Sequence, residues 1–135
     1  MAHTAELRLE GRTYKIITCD YEFFQHFKDN GQASGYPSGG LINLTIESPD
    51  NRDLFIHNWM QDADDHKDGK ITFTVVDGGK SAIKTLRFER GYCVYLQERF
   101  SSLVDTQMLA KISISAAQIS FGEGIGIVFK NDRRA

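Results

Sequence analysis

The segment Gly39–Ser48 constrains the fold of this chain more than any other, because a glycine-rich stretch passes directly into an alternating apolar run. Ile42, Leu44 and Ile46 lie on one face of this run, and polar residues lie between them. A period of two is typical of a β-strand with one buried face. The segment therefore predicts a strand over residues 41–47, with a loop before it.

The residues after this strand predict a helix that begins near Arg52 and ends before Lys67. Ser48-Pro49-Asp50-Asn51 supplies capping oxygens and a proline suited to a first helical turn. Phe55 and Trp59 then stand four residues apart, which places them on one helical face. We expect this helix to pack on a sheet.

Further alternating runs predict strands along most of the remaining chain. Turn residues separate them, at Gly11-Arg12, Asp68-Gly69, Asp77-Gly78-Gly79 and Arg90-Gly91. About eight strands and one helix predict a mainly β, single domain over residues 1–135, most economically a closed or nearly closed antiparallel barrel. The further predicted strands cover residues 5–10, 14–27, 71–75, 83–89, 92–100, 108–121 and 125–129.

Residues that share a phase within these strands and the helix predict one core. We expect it to contain Leu7, Leu9, Ile17, Cys19, Tyr21, Ile42, Leu44, Ile46, Phe55, Trp59, Ile71, Phe73, Leu86, Phe88, Val94, Ile112 and Ile114.

The second strand carries bulky groups on both faces, so we expect one face to be buried and the other to contact a partner. The proposed contact face consists of Ile16, Thr18, Asp20, Glu22 and Phe24.

Residues 28–40 contain four glycines, one proline and two serines without any period, which is typical of a loop. Loops of this length are uncommon in compact domains and often functional. We expect residues 29–40 to form an extended contact arm, within which the contact residues are Gly31, Gln32, Ala33, Ser34, Gly35, Tyr36, Pro37, Ser38 and Gly39.

Composition argues against several function classes. A net charge of −2 and an isoelectric point near 6.1 provide no basic field for nucleic acid or for an anionic membrane surface. No window approaches the roughly 20 apolar residues of a membrane helix. The N-terminus lacks the pattern of a signal peptide, and Cys19 and Cys93 lie in strand-like runs where reduced, buried thiols are expected.

No pattern in the sequence predicts a catalytic, cofactor or metal site. A calcium loop that began at Asp64 would place Val75 where the bidentate glutamate belongs. Gly35 and Gly40 have the spacing of a phosphate loop, but Leu41 stands at the lysine position. No two histidines have the spacing of metal ligands, and no nucleophile has a recognisable base, so an enzyme is the weakest candidate.

Several short motifs follow one another in order along the chain. They are Cys19-Asp20-Tyr21-Glu22-Phe23, Asp53-Leu54-Phe55, Trp59-Met60, Leu86-Arg87-Phe88, Gly91-Tyr92-Cys93-Val94 and Glu98-Arg99-Phe100. This ordered set resembles the Hcp (TssD) tube proteins of bacterial type VI secretion, especially those of Bacteroidetes. The resemblance spans residues 5–121, so it assigns no role to the tail 123–135.

This resemblance implies a β-barrel with one flanking helix that assembles into six-membered rings, which stack into a hollow tube. It also implies a VgrG-type spike, a contractile sheath and effector proteins as partners, and export from the bacterial cytoplasm without a signal peptide. It places the family's extended loop on Asp29–Gly40 and the family's helix on Arg52–Gln61. We expect Gly31–Gly39 of this loop to mediate stacking between rings, and the outer face of the second strand to mediate ring closure.

Two other interpretations stay open at this level. A tail-tube protein of a phage or phage-like contractile particle shares the architecture. A monomeric ligand-binding barrel would need an interior cavity with convergent polar groups, whereas the inward faces predicted here are almost wholly apolar.

Overall fold

The structure, a computed structural model, describes residues 2–24, 28–32, 38–47, 54–77, 80–103, 108–122 and 127–130. The described part contains eight strands and one helix. In chain order these are β1 (Ala2–Leu9), β2 (Arg12–Phe24), β3 (Ser38–Glu47), α1 (Phe55–Gln61), β4 (Lys67–Asp77), β5 (Lys80–Arg99), β6 (Leu109–Ser115), β7 (Gln118–Phe121) and β8 (Ile127–Lys130).

Six of the strands close into an antiparallel barrel, in the order β4-β1-β2-β3-β6-β5, with β5 pairing back to β4. β7 and β8 extend the sheet from the first half of β5. Closure removes the unpaired edges that an open sheet of these six strands would present. The mainly β, barrel-like fold predicted from the sequence is confirmed.

β5 makes this closure possible because it pairs with β4 along its first part and with β6 along its second part. Its first twelve residues, Lys80–Gly91, pair with β4, and Tyr92–Arg99 pair with β6. The sequence-based expectation of two strands separated by a turn at Arg90-Gly91 was wrong. The chain bends there without reversing, so the two predicted strands are one.

A bulge and two hydrogen bonds form the bend in β5. Glu89 and Arg90 together face the single residue Asp68 of β4, and Arg90 takes φ +54°. The Arg90 amide donates to Asp68 Oδ1 at 2.9 Å, and Trp59 Nε1 donates to the Gly91 carbonyl at 3.2 Å. The expected turn at Asp68-Gly69 is thus a bulged site inside the β4–β5 ladder.

The ring of Phe88 fills the inside of this bend between two glycines. A Cβ at Gly69 would overlap Phe88 and lie 2.8 Å from Leu9 Cδ2, and a Cβ at Gly91 would lie 2.8 Å from Ile114 Cγ2. Phe88 is fully buried, so its ring has no free space into which to retreat. Both positions therefore require glycine on steric grounds.

The core is wholly apolar among the described residues, as the sequence predicts. Cys19, Tyr21, Phe55 and Phe73 are partly buried against it. The buried set also contains residues that the sequence prediction missed: Tyr14, Ile16, Ile56, Cys93, Ala110, Ala116 and Ile119.

Two predicted core residues were wrong: Ile17 is 46% and Val94 is 50% exposed. Each is the extra residue at a register shift, between Ile16 and Thr18 in β2 and between Cys93 and Tyr95 in β5. An extra residue in one strand reverses the inside and outside phase of the residues after it. Simple alternation therefore fails at these positions.

Other boundaries differ by a few residues. The first hairpin turns at Glu10-Gly11, where both residues have positive φ, and β2 already begins at Arg12. The predicted strand 108–121 is divided into β6 and β7. β3 begins at Ser38, inside the segment expected to be loop. Parts of the predicted second strand, helix and last strand, residues 25–27, 52–53 and 125–126, lie outside the described residues.

The four strands β2-β3-β6-β5 define two ends of the barrel. At one end Phe24 pairs with Ser38, on either side of the predicted arm. At the other end Glu47 pairs with Leu109, which pairs with Arg99. We call these the arm end and the distal end.

Aromatic side chains make contacts near each end. Near the arm end the rings of Tyr21, Phe23 and Phe121 have centroids 5.6–6.1 Å apart. Near the distal end, the guanidinium of Arg12 lies 4.6 Å and the ammonium of Lys67 lies 4.8 Å from the centroid of the Phe55 ring of α1.

Trp59→Ala tests the bend and the docking of α1 together. Trp59 is fully buried and donates to two carbonyls, those of Asp65 and Gly91. We expect a loss of about 3–5 kcal/mol in the free energy of unfolding, measured by urea denaturation. Met60→Ala, at an exposed position on the same helix, is the control. Equal free energies of unfolding for the two variants would contradict the packing of Trp59 in the core.

Gly69→Ala tests the steric requirement around Phe88. Overpacking of a rigid buried ring predicts a loss of about 1–3 kcal/mol. Adding Phe88→Leu should make the two effects non-additive, since the smaller side chain vacates the space that the new methyl needs. Additive effects in this double-mutant cycle would show that Phe88 is not the group that excludes a side chain at residue 69.

Candidate assembly interface

The outward face of the four strands β2-β3-β6-β5 carries a row of paired polar side chains. Asp20, Asn43, Ser113 and Tyr95 are cross-strand neighbours along this row. Asn43 Nδ2 donates to Asp20 Oδ1 at 2.9 Å, and Ser113 Oγ donates to Asn43 Oδ1 at 2.6 Å. These hydrogen bonds fix the side chains in one arrangement, so the face presents a preformed pattern.

Exposed apolar side chains surround this polar row. The two bulged residues Ile17 and Val94 project outward, together with Leu41 and Tyr95, and these four side chains are 42–50% exposed. In a monomer the apolar area of these side chains stays in water, so a contact that covers it would be stabilising. A surface with a fixed polar centre and exposed apolar groups is typical of a protein–protein contact.

The structure changes the predicted contact face of β2. Thr18, Asp20 and Glu22 are exposed on the outward face, as expected. Ile16 is only 6% exposed and belongs to the core, because the bulge at Ile17 reverses the phase of the strand. The side chain of Phe24 lies outside the described residues.

Sequence reasoning missed the contributions of the neighbouring strands to this face, namely Leu41, Ser113 and Tyr95. The outward phase of Asn43 was visible in the sequence. The neighbour of β3 on this face is β6, and the paired residues Asn43 and Ser113 are 70 residues apart in sequence. Local periodicity does not indicate which distant strand will pair with β3.

The base of the predicted arm is a hydrogen-bonded turn. Lys28 N donates to Gln32 O at 2.7 Å, and Gly31 N donates to Lys28 O at 2.8 Å. Gly31 takes φ +88°, which favours glycine, and Gln32 N donates to Asn30 Oδ1 at 3.0 Å. Gly31 and Gln32 are exposed.

The remaining predicted arm residues divide into two groups. Ser38 and Gly39 belong to β3, where they pair with Phe24 and Phe23, so the arm is shorter than predicted. Ala33, Ser34, Gly35, Tyr36 and Pro37 lie outside the described residues.

The titratable groups of the described part form no recognisable reactive site. No group of three or more His, Cys, Asp or Glu side chains is placed there to hold a metal ion. His57 Nε2 contacts Glu98 Oε1, which joins α1 to β5. Burial, with a smaller effect of the Asp20 carboxylate, raises the pKa of the Cys19 thiol to about 12, and burial raises the pKa of Cys93 to about 11.

These thiols give a prediction about pH. Their folded-state pKa values lie above the ordinary value of 9.0, so folding holds their protons more tightly. The resulting stabilisation is complete below about pH 9 and is lost as the pH rises towards 11–12. The urea midpoint should fall over this window. A Cys19→Ala/Cys93→Ala variant should lose less stability between pH 8.5 and 10.5, and an identical slope would contradict the assignment.

No helix in the described part of the chain is long and apolar enough to cross a membrane.

Comparison with solved structures identifies close relatives of this fold. Hcp1 from Flavobacterium johnsoniae has 29% sequence identity and a TM-score of 0.76, and the match covers 95% of this chain and 99% of that chain. This match supports the resemblance to Bacteroidetes proteins.

Two more distant structures share the fold alone. The secreted protein Hcp3 from Pseudomonas aeruginosa has 10% identity and a TM-score of 0.67, with 99% of this chain and 100% of that chain covered. The tube-terminating cap of the anti-feeding prophage has 11% identity and a TM-score of 0.54, with 89% and 88% covered.

No protein with a curated description matches the chain. A family model does match it, over residues 1–132, and this range includes the tail strand β8 that sequence reasoning left without a role. The family is described as hemolysin coregulated protein Hcp (TssD). With its closed barrel and its match over nearly the whole length, this chain belongs to the Hcp (TssD) family.

Proposed function

We propose that this protein is a structural subunit of the type VI secretion tube, as one domain that forms hexameric rings which stack into a hollow tube. The observation that carries the proposal is the family match over residues 1–132. The fold supports it, because the six closed strands have no free edges and so present side-chain faces and loops for association. Such contacts, repeated head to tail around an axis, give a closed ring.

Ring closure in this proposal uses the outward face of β2 and its neighbours. Thr18, Asp20 and Glu22 contribute from β2, next to the polar row and the exposed apolar groups of the neighbouring strands. The contact between two subunits should bury more than roughly 1,000 Å² in total if the ring is stable in isolation. The fixed hydrogen bonds of Asn43 reduce the side-chain entropy that association would otherwise lose.

Native mass spectrometry tests ring formation and this face together. The wild-type protein should give a species of six times the 15.3 kDa subunit mass. Thr18→Arg should shift the population towards monomer without loss of stability, since the position is exposed. His3→Arg, on the exposed surface of β1, is the matched control. A hexamer unaffected by Thr18→Arg would exclude this face, and a wild-type monomer at micromolar concentration would contradict the ring.

Stacking in this proposal uses the arm, Gly31–Gly39. A glycine-rich segment reaches beyond its own barrel but contributes little apolar area, and it loses conformational entropy when it is ordered on contact. It therefore suits a modest contact that breaks after delivery. Ser38 and Gly39, which belong to β3 and pair with β2, attach the arm to the barrel.

Electron microscopy of an arm variant tests this role. Gln32–Pro37 is replaced by a glycine-serine linker of equal length, which spares the pairing of Ser38 with Phe24. Rings should persist and tubes should disappear. Tubes of wild-type length would refute the role, and loss of rings would move the arm to the lateral interface.

The remaining parts of the proposal rest on family membership. A VgrG-type spike, a contractile sheath and effector proteins are the proposed partners, with neither nucleic acid nor membrane as ligand. The chain is made in the bacterial cytoplasm and leaves through the type VI machine without a signal peptide. It acts by assembly, without catalysis and without a cofactor.

A tube component of a phage-like contractile particle is the second candidate. The fold similarity to the anti-feeding prophage cap favours it. The two candidates differ in the machine that the tube occupies, so affinity capture of the sheath protein from the native host separates them. A ligand-binding barrel is disfavoured, since the buried interior of the described part is wholly apolar and filled by side chains.

A further inference from the structure

The turn at the base of the arm contains the pair Asn30-Gly31, and no other asparagine of the chain precedes a glycine. An asparagine followed by glycine can lose ammonia in an intramolecular reaction, because glycine has no side chain to hinder the approach of its amide nitrogen to the asparagine Cγ. Residues 28–32 are all exposed, so water reaches the turn. The turn therefore has the sequence and the access to solvent that this reaction needs.

The side chain of Asn30 folds back over the turn. Its Oδ1 accepts a hydrogen bond from Gln32 N at 3.0 Å, and its Nδ2 donates to Gln32 Oε1 at 3.3 Å. The first of these bonds defines an Asx turn, in which the side-chain amide lies along the following peptide group and does not extend into solvent. The Asn30 Cγ is thereby held beside the peptide group whose nitrogen would attack it.

The Gln32 amide also supplies a donor at the atom where charge develops. Attack at Cγ turns the side-chain carbonyl into a tetrahedral intermediate with its negative charge on Asn30 Oδ1. A backbone N–H at 3.0 Å from that oxygen stabilises this charge. A second hydrogen bond opposes the reaction, since Gly31 N donates to Lys28 O at 2.8 Å and has to be released before it loses its proton.

We infer that Asn30 is a modification site at which the chain converts its own asparagine into an acidic residue. The Gly31 nitrogen gives its proton to hydroxide and forms a bond to Asn30 Cγ. The bond from Cγ to Nδ2 breaks, and the side-chain nitrogen leaves as ammonia with a proton from water. Water then opens the succinimide at one of its two carbonyls, which gives aspartate or isoaspartate.

Asn43 provides an internal comparison in the same molecule. It precedes Leu44 in β3, and the backbone there is held between β2 and β6. Its side chain is bound to Asp20 and Ser113, so it cannot fold over the Leu44 nitrogen without losing both hydrogen bonds. We expect Asn43 to stay an amide.

Either product changes the base of the arm. Both add a negative charge to residues 30–40, which contain no charged side chain. Isoaspartate also adds a methylene to the main chain, inside the turn closed by the hydrogen bond from Lys28 N to Gln32 O. On the proposed stacking function, which this consequence presupposes, converted subunits hold the arm less firmly and stack less.

Tandem mass spectrometry of the wild-type protein, incubated in mildly alkaline buffer, tests the site. The mass change of an amide-to-acid exchange should accumulate at residue 30 and not at Asn43. Asn30→Gln, which would need a larger ring, should stay unmodified over the same time. Absence of conversion at residue 30, or equal conversion at Asn43, would overturn the inference.

Two variants of Gln32 test the part that the turn plays. Gln32→Pro removes the backbone N–H that donates to Asn30 and keeps the Asn30-Gly31 sequence, whereas Gln32→Ala keeps this N–H. Conversion of Asn30 should be slower in Gln32→Pro than in Gln32→Ala. Equal rates would show that the sequence alone sets the rate, and would overturn the role assigned to the Gln32 amide.

Electron microscopy before and after incubation separates this inference from the proposed function. Incubated wild-type protein should form fewer tubes than fresh protein, whereas Asn30→Gln should form equal numbers before and after. If fresh wild-type protein forms no tubes, the proposed function fails, and the mass change at residue 30 still decides the modification. If Asn30 is converted and tubes persist unchanged, the proposed function stands and the assigned effect on stacking is wrong.

Discussion

The bend of β5 is the constraint on which the rest of the structure depends. One strand of twenty residues serves both halves of the barrel, and it can do so only because its direction changes at Arg90 and Gly91. The bend combines an Asp68 carboxylate that accepts the Arg90 amide with a Trp59 indole that donates to Gly91, and Phe88 fills the space inside. The two hydrogen bonds pair backbone groups that the bulge leaves without partners in the ladder, and the Phe88 ring fills the space beneath the bulge.

This bend also links the core to the proposed assembly face. Trp59 and the contact between His57 and Glu98 anchor α1 to β5 at the two ends of its second half. Beyond the bend, the second half of β5 carries Val94 and Tyr95 on the outward face. The outward face is therefore part of the same hydrogen-bonded barrel as the bend, which lowers the entropy that ring formation would lose.

The alternating pattern of the sequence was enough to predict the mainly β barrel, the helix around Trp59 and most of the core, because burial of one strand face is a local signal. It failed at Ile17, Val94 and Ile16, because a bulge is an extra residue in a pairing with a distant strand. It also failed at Gly69 and Gly91, which resemble turn glycines locally and are in fact required by the Phe88 ring. The proposed assembly face spans four strands joined by long-range register. The outward phase of its β2 residues and of Asn43 was visible beforehand, but which strands lie side by side was not.

A cryo-electron microscopy reconstruction of the assembled wild-type protein tests the central claim most directly, since it shows which surfaces of the barrel meet. The account predicts six barrels around an axis, with the outward face of β2, β3, β6 and β5 against the neighbouring subunit and the arm of one ring against the distal end of the barrels in the next ring. Subunits that leave this face in contact with solvent, or that stack with distal ends together, would contradict it.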